Sequence, residues 1–290
     1  MKDIGDIKHS IRAISDTEQI TRAMHLISTS KMKKAISTYE SNKIHFNRVQ
    51  AGLKDILEHT TEISHPYVGH SEGGSAAFVV IAADKGLCGG YNSSVLNFAL
   101  ENMKKNKQQY ILTVGQEARV FFERKGYMVD VEFLHIAQNP SLYNARNITN
   151  DILELYETGL MDEVYVVYTK FISALRQEPT IIKLLPVEAA NFENIESEVK
   201  YSAEMNFHPS VKDVFDRMVP QYIVGLLYGC LVQAYASEHC ARMTAMESAT
   251  NNAEEMIGKL SKEYNRARQA AITNEIAEII GAQETLKDSF

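Results

Sequence analysis

Two long stretches without proline, a heptad-like apolar seam in each, and strand-like segments alternating with helical ones between them predict an α/β protein. The expected architecture is a long antiparallel coiled coil of N- and C-terminal helices plus a central Rossmann-like α/β domain. Expected boundaries are 1–65 for the first coiled-coil helix, 66–208 for the central domain and 209–290 for the second helix.

The first helix rests on spacing and on missing breakers. Prolines stand only at 66, 140, 179, 186, 209 and 220, and Gly5 and Gly52 are the only glycines before residue 66. Ile4, Ile7, Ile11 and Ile14 step by three and four. Ile20, Met24 and Ile27 continue the stepping with a phase change, and Phe46, Val49, Leu53 and Ile56 return to it. A helix over most of residues 5–60 would be about 80 Å long. "HTTEISHPYVGHSEGGS" then reads as a polar linker, its His59, His65 and His70 spaced as in no common metal motif and expected to be solvated.

The middle of the chain changes texture. "AAFVVIAAD", "QYILTVG", "GYMVDVEFL", "DEVYVVYTKF" and "TIIKLLPV" are rich in β-branched and aromatic residues. Helical intervals near 91–105, 116–125 and 144–159 separate most of them, which implies three layers around a largely parallel sheet. "NFENIESEVKYSAEMNFHPS" leads out of the domain.

The second long helix follows. Val211, Val214 and Met218 precede Pro220, which should kink the helix or begin its next segment. Leu227, Leu231 and Ala234 lead into small residues, Ala241, Ala245, Ser248, Ala249 and Ala253, that let a partner helix approach closely. Ile257, Leu260, Tyr264, Ala267 and Ala271 resume the stepping, so the helix could reach roughly 110 Å. Two such seams pair most simply as an antiparallel coiled coil; the competing reading is that each helix packs in an ordinary bundle.

The segment Asp84-Lys85-Gly86-Leu87-Cys88-Gly89-Gly90-Tyr91 has the outline of a phosphate-binding loop between a strand and a helix. It lacks the lysine and hydroxyl that follow the last glycine of GxxxxGK[ST], and it does not match GxGxxG. Gly86, Gly89 and Gly90 are therefore expected to shape a tight structural turn. Cys88, Cys230 and Cys240 form no CxxC pair, and the last two would lie about 15 Å apart along a helix, so all three read as free thiols. Cys88 has no nearby histidine to activate it. The run Lys31, Met32, Lys33, Lys34 suits a solvated helix face or an acidic protein partner equally well. A net charge of −7 argues against a general nucleic-acid binder, and no apolar run approaches the length of a membrane span. No catalytic constellation is found, and no metal site.

A chain with "QITRAMHLISTSKMKKA", "ADKGLCGGYNSS", "YASEHCARMTAMESATNNAEEMI" and "EYNRARQAAITNEIAEII" in this order resembles the gamma subunit of the F-type ATP synthase over nearly its whole length. The resemblance implies a non-enzymatic rotor shaft with no cofactor of its own, nucleotides and magnesium binding the partner alpha and beta subunits. Its implied partners are those subunits, the epsilon subunit and the c-subunit ring, with no nucleic acid, at the cytoplasmic face of a bacterial membrane as a peripheral protein. By motif, Met24, Arg22, Lys31, Lys33, Lys34 and Arg242 would face the catalytic subunits, Arg242 lying across from Met24. Arg268, Gln269 and Thr273 would bond a catalytic-subunit loop, and Phe207, His208 and Pro209 would form the foot near the c ring.

Three places depart from the family pattern: Lys85 stands where arginine is usual, Gly281-Ala282 comes one place early, and His208 replaces a frequent acidic residue. The cysteine pair of chloroplast relatives is absent, so thiol regulation is not expected.

Overall fold

The computed structural model describes residues 4–59, 65–69, 74–104, 108–188 and 211–287. In chain order the elements are α1 (Ile4–His59), β1 (Ser75–Ile81), α2 (Tyr91–Met103), β2 (Gln108–Val114), α3 (Gln116–Arg124), β3 (Val131–Phe133), α4 (Leu142–Glu157), β4 (Glu163–Ser173), β5 (Arg176–Leu185) and α5 (Val211–Lys287). They divide into two units. One is Ser28–Arg242; the other takes α1 up to Ile27 and α5 from Met243.

In the larger unit the sheet order is β3-β2-β1-β4-β5. β1 pairs in parallel with β2 and β4, β2 in parallel with β3, and β4 runs antiparallel to β5. Period-two alternation sends the two faces of β1 into different cores. Ala76, Phe78, Val80 and Ala82 pack with Val95, Leu96, Ala99 and Met103 of α2 and Ala118 and Phe122 of α3. Ala77, Val79 and Ile81 pack with Ile148 and Ile152 of α4, Leu53 and Ile56 of α1, and Phe215 to Ala236 of α5. The third expected strand is only Val131–Phe133, because the chain before it turns through Gly126 at φ 81.

Within this unit α1 and α5 run antiparallel. Gly52 adjoins Met218, Phe46 stacks on Tyr222 with ring centroids 6.0 Å apart, and Gln233 Nε2 donates to Tyr39 Oη at 3.4 Å. Gly225 sits under the Phe46 ring, where a side chain would collide with it. Pro220 lies inside α5, which continues as one helix through it. Pro220 does not begin a new segment; buried Phe215, Val219, Tyr222 and Ile223 offset the hydrogen bond that proline removes.

His65 is also not a solvated linker residue. Its Nδ1 accepts the Tyr67 N–H at 3.2 Å, which leaves Nε2 to donate to Asp216 Oδ1 at 2.9 Å. The ring is buried against Tyr67 and Phe215. His59 and His70 lie outside what the structure describes at side-chain level.

The burial pattern of the first part of α1 corrects the seam. Ile4, Ile7, Ile11, Ile14, Glu18, Thr21, His25, Ser28, Met32 and Ala35 are all buried or half-buried, in unbroken steps of three and four. No phase change occurs at Ile20. Ile20, Leu26 and Ile27 are 61%, 63% and 55% exposed. The polar seam positions are satisfied locally: Thr21 and Thr250 hydroxyls meet at 2.8 Å, and Thr250 Oγ1 donates to the Met246 carbonyl at 2.9 Å. On α5, Met246, Thr250, Ala253, Ile257, Leu260, Tyr264 and Ala267 face inward, and every residue from Arg268 to Ile280 is exposed.

Candidate functional site

An open parallel sheet offers a ligand the crevice beyond the carboxyl ends of two strands whose connections leave in opposite directions. Here those strands are β1 and β4. β1 runs out through buried Ala82, Ala83 and Asp84, and the Asp84 Oδ1 accepts the Gln116 N–H at 3.1 Å. Asn92 Oδ1 accepts the Ala83 N–H at 3.0 Å, and Asn92 Nδ2 donates to Cys88 Sγ at 3.4 Å. Leu87 and Gly89 take φ of 60° and 58°, which turns the chain back into α2 behind Gly90.

A phosphate-binding turn aims N–H donors at its ligand. This turn presents carbonyls. The oxygens of Lys85 and Gly86 each accept from Arg242 Nη2 at 3.2 Å. Arg242 also pairs with Glu238 at 2.7 Å, and its Nη1 lies 3.3 Å from His239 Nδ1. One turn earlier, Ser237 Oγ donates to the Thr169 carbonyl of β4 at 3.2 Å. The chain's own helix thus fills the crevice.

The electrostatics follow from that burial. Arginine has only donors, so His239 Nδ1 accepts and the proton sits on Nε2. Burial, then the Arg242 and Lys31 charges, hold the His239 pKa down to about 3. Burial pushes the Glu238 carboxyl up, and Arg242 pulls it back. Burial also raises the Cys88 thiol, against the opposing pull of Arg242. The three cysteines are free and buried.

The other expected site residues are scattered. Arg22 is exposed and bridges Glu18 at 2.7 Å and Glu254 at 2.5 Å. Met24 is half-buried, and Lys31, Lys33 and Lys34 are exposed. Arg268, Gln269 and Thr273 lie together on the exposed end of α5, where Thr273 Oγ1 donates to the Gln269 carbonyl at 2.8 Å. Arg242, expected to face a partner, is 7% exposed, because its donors are taken up inside the chain. Phe207, His208 and Pro209 lie outside the described residues. Sequence reasoning missed Ser237, Glu238 and His239, although Glu238 and Arg242 have the four-residue spacing of a helical ion pair. Among the described residues no group of His, Cys, Asp and Glu could hold a metal ion.

The family model for ATP synthase matches residues 3–286. It belongs to the ATP synthase gamma chain family. The gamma chain of Ruminiclostridium cellulolyticum is 44% identical over 98% of this chain and 99% of its own length. That of Alkaliphilus metalliredigens is 41% identical over 97% and 98%. A chain of the Tetrahymena thermophila mitochondrial ATP synthase central stalk and c-ring structure superposes with TM-score 0.63 at 25% identity, covering 79% of this chain and 99% of that one. A chain of the Euglena gracilis mitochondrial ATP synthase rotor shares the fold at TM-score 0.64 and 17% identity, covering 93% and 98%. A gamma chain is a non-catalytic subunit of the ATP synthase complex.

Proposed function

We propose that this chain is the central rotor shaft of an F-type ATP synthase. It couples ion flow through the membrane c ring to ATP synthesis and hydrolysis by rotating inside a hexamer of alpha and beta subunits. The observation that carries this reading is the apolar surface on the two helices of the smaller unit. Ile272, Ile276, Ile279 and Ile280 are 47–63% exposed on α5, and Ile20, Leu26 and Ile27 are exposed on α1. Contiguous apolar stripes of this kind mark contact surfaces for another protein. Family membership supplies the candidate: the sheath formed by the catalytic hexamer.

In this reading Arg22, Met24, Lys31, Lys33, Lys34, Arg268, Gln269 and Thr273 contact the hexamer, Arg268 offering a carboxylate its fixed fork. Catalytic sites change state because different faces of the helices make different contacts, which is what a coupling free energy requires. The α/β domain, with residues 66–208, meets the epsilon subunit and the c ring. The chain then sits peripherally at the cytoplasmic face of the membrane; among the described residues no helix is long and apolar enough to cross it. Nucleotide and magnesium belong to the partner subunits. A turn that shows carbonyl oxygens to its crevice supports that division. Native mass spectrometry of the complex captured on this chain tests the reading. One copy with three copies each of two larger subunits is expected; recovery of the chain as a small homo-oligomer that binds ATP overturns it.

A further inference from the structure

The polar cluster on α5 at the ends of β1 and β4 has no part in contacting a sheath, since its groups are buried inside the larger unit. Two carbonyls, a carboxylate and an imidazole nitrogen converge on one planar cation. We infer that this crevice is a guanidinium receptor filled from within by Arg242, and that it is the joint by which the α/β domain and α5 turn together. The consequence for rotation rests on the rotor reading above; the receptor does not.

Three features support the joint. From Phe215 to Ala236, α5 meets the domain mainly through apolar side chains, the hydrogen bonds of Asp216 to His65 and of Cys230 and Gln233 to Tyr168 being the exceptions. Apolar contact is non-directional, so it opposes separation far better than rotation about the helix axis. From Ser237 to Arg242 the contacts become hydrogen bonds, whose strength falls steeply with misalignment. Arg242 is also the last residue of α5 in this unit, so the clamp stands at the end of the stretch of helix that the domain holds. The chemistry is selective. The three oxygens meet at Nη2 and the His239 nitrogen at Nη1, so one rigid guanidinium plane reaches both groups of acceptors, whereas an ammonium placed at the oxygens leaves His239 without its donor. A phosphate would face three oxygen acceptors.

The test uses the complete synthase in inverted membrane vesicles, read as ions pumped per ATP hydrolysed. Arg242→Ala is expected to lower that ratio about fivefold, the lower end of usual coupling between sites. Arg242→Lys should fall between, and Glu238→Gln should resemble Lys. Added ethylguanidinium should restore the Ala variant, and ethylammonium should not. A wild-type ratio in both Arg242 variants, or equal rescue by the two cations, overturns the joint. If the Ala variant does not assemble, Arg242→Lys carries the coupling test.

The purified full-length Ala variant provides a second readout without partners. Ethylguanidinium should raise its melting temperature more than ethylammonium does, and equal shifts overturn the receptor. Should the unaltered chain fail to join a hexamer, the rotor reading fails, and this melting comparison still judges the receptor alone.

Discussion

Helix α1 is held in two different ways along its length. In the larger unit its Phe46, Leu53 and Ile56 enter an apolar core shared with the sheet and α5. In the smaller unit its seam contains Glu18, Thr21 and His25, while Ile20, Leu26 and Ile27 face outward. The first arrangement makes a body that holds together on its own. The second keeps only enough inward contact to fix register, as polar seam residues do at a cost in stability, and leaves apolar side chains exposed. In the rotor reading proposed above, the difference suits a part that is gripped and a part that turns against something else.

The comparison predicts steep costs in the larger unit. Gly115 has φ 95, and an added Cβ would overlap the carbonyl oxygen of Ala82. Gly115→Ala should lower the unfolding free energy by about 4 kcal/mol, combining left-handed strain with a backbone collision; a loss below about 1 kcal/mol in denaturant titration would show the turn to be pliable. Leu53, fully buried, should cost about 3 kcal/mol as Leu53→Ala. Ile27→Ala, in the same helix but exposed, should cost under about 0.5 kcal/mol in the isolated chain. Equal costs would erase the contrast between the two halves of α1.

Acid should loosen the larger unit in a defined window. His239 is held neutral with a folded pKa of about 3 against an ordinary 6.5, so the unfolded chain takes up its proton first. Its contribution is present above pH 6.5 and is lost as pH falls toward 3. His239→Gln should flatten the stability profile over that range, and an unchanged slope would place the acid sensitivity elsewhere. The smallest effect belongs to the polar seam. Thr21→Val together with Thr250→Val exchanges a buried hydroxyl pair for apolar groups of like shape, and should be neutral or stabilising by up to about 1 kcal/mol in thermal melts.

The architecture was legible because it is written in periodicity. The four helix-flanked strands, the two long helices and the absence of a nucleotide motif all follow from spacing and composition. Between Ile14 and Met32 the seam departs from the rule that apolar residues mark the inside. Thr21 and Ser28 can sit inside once a hydroxyl finds a partner, and Ile20 and Ile27 can sit outside when another protein covers them. At Pro220 a lone proline does not tell a kink from a new segment, because the buried residues around it decide whether the helix continues. Arg242 had no signal of direction: a lone arginine on a helix says nothing about which face it lies on until the turn that receives it is placed.

The central claim is tested most directly by watching the chain turn. Leu175, in the β4–β5 hairpin, is 99% exposed, and the native thiols are all buried, so Leu175→Cys offers one site for a probe. With the catalytic hexamer fixed to a surface, addition of ATP should drive the probe in one direction, with three dwells per turn. A probe that stays fixed or wanders in both directions while ATP is hydrolysed would contradict the account.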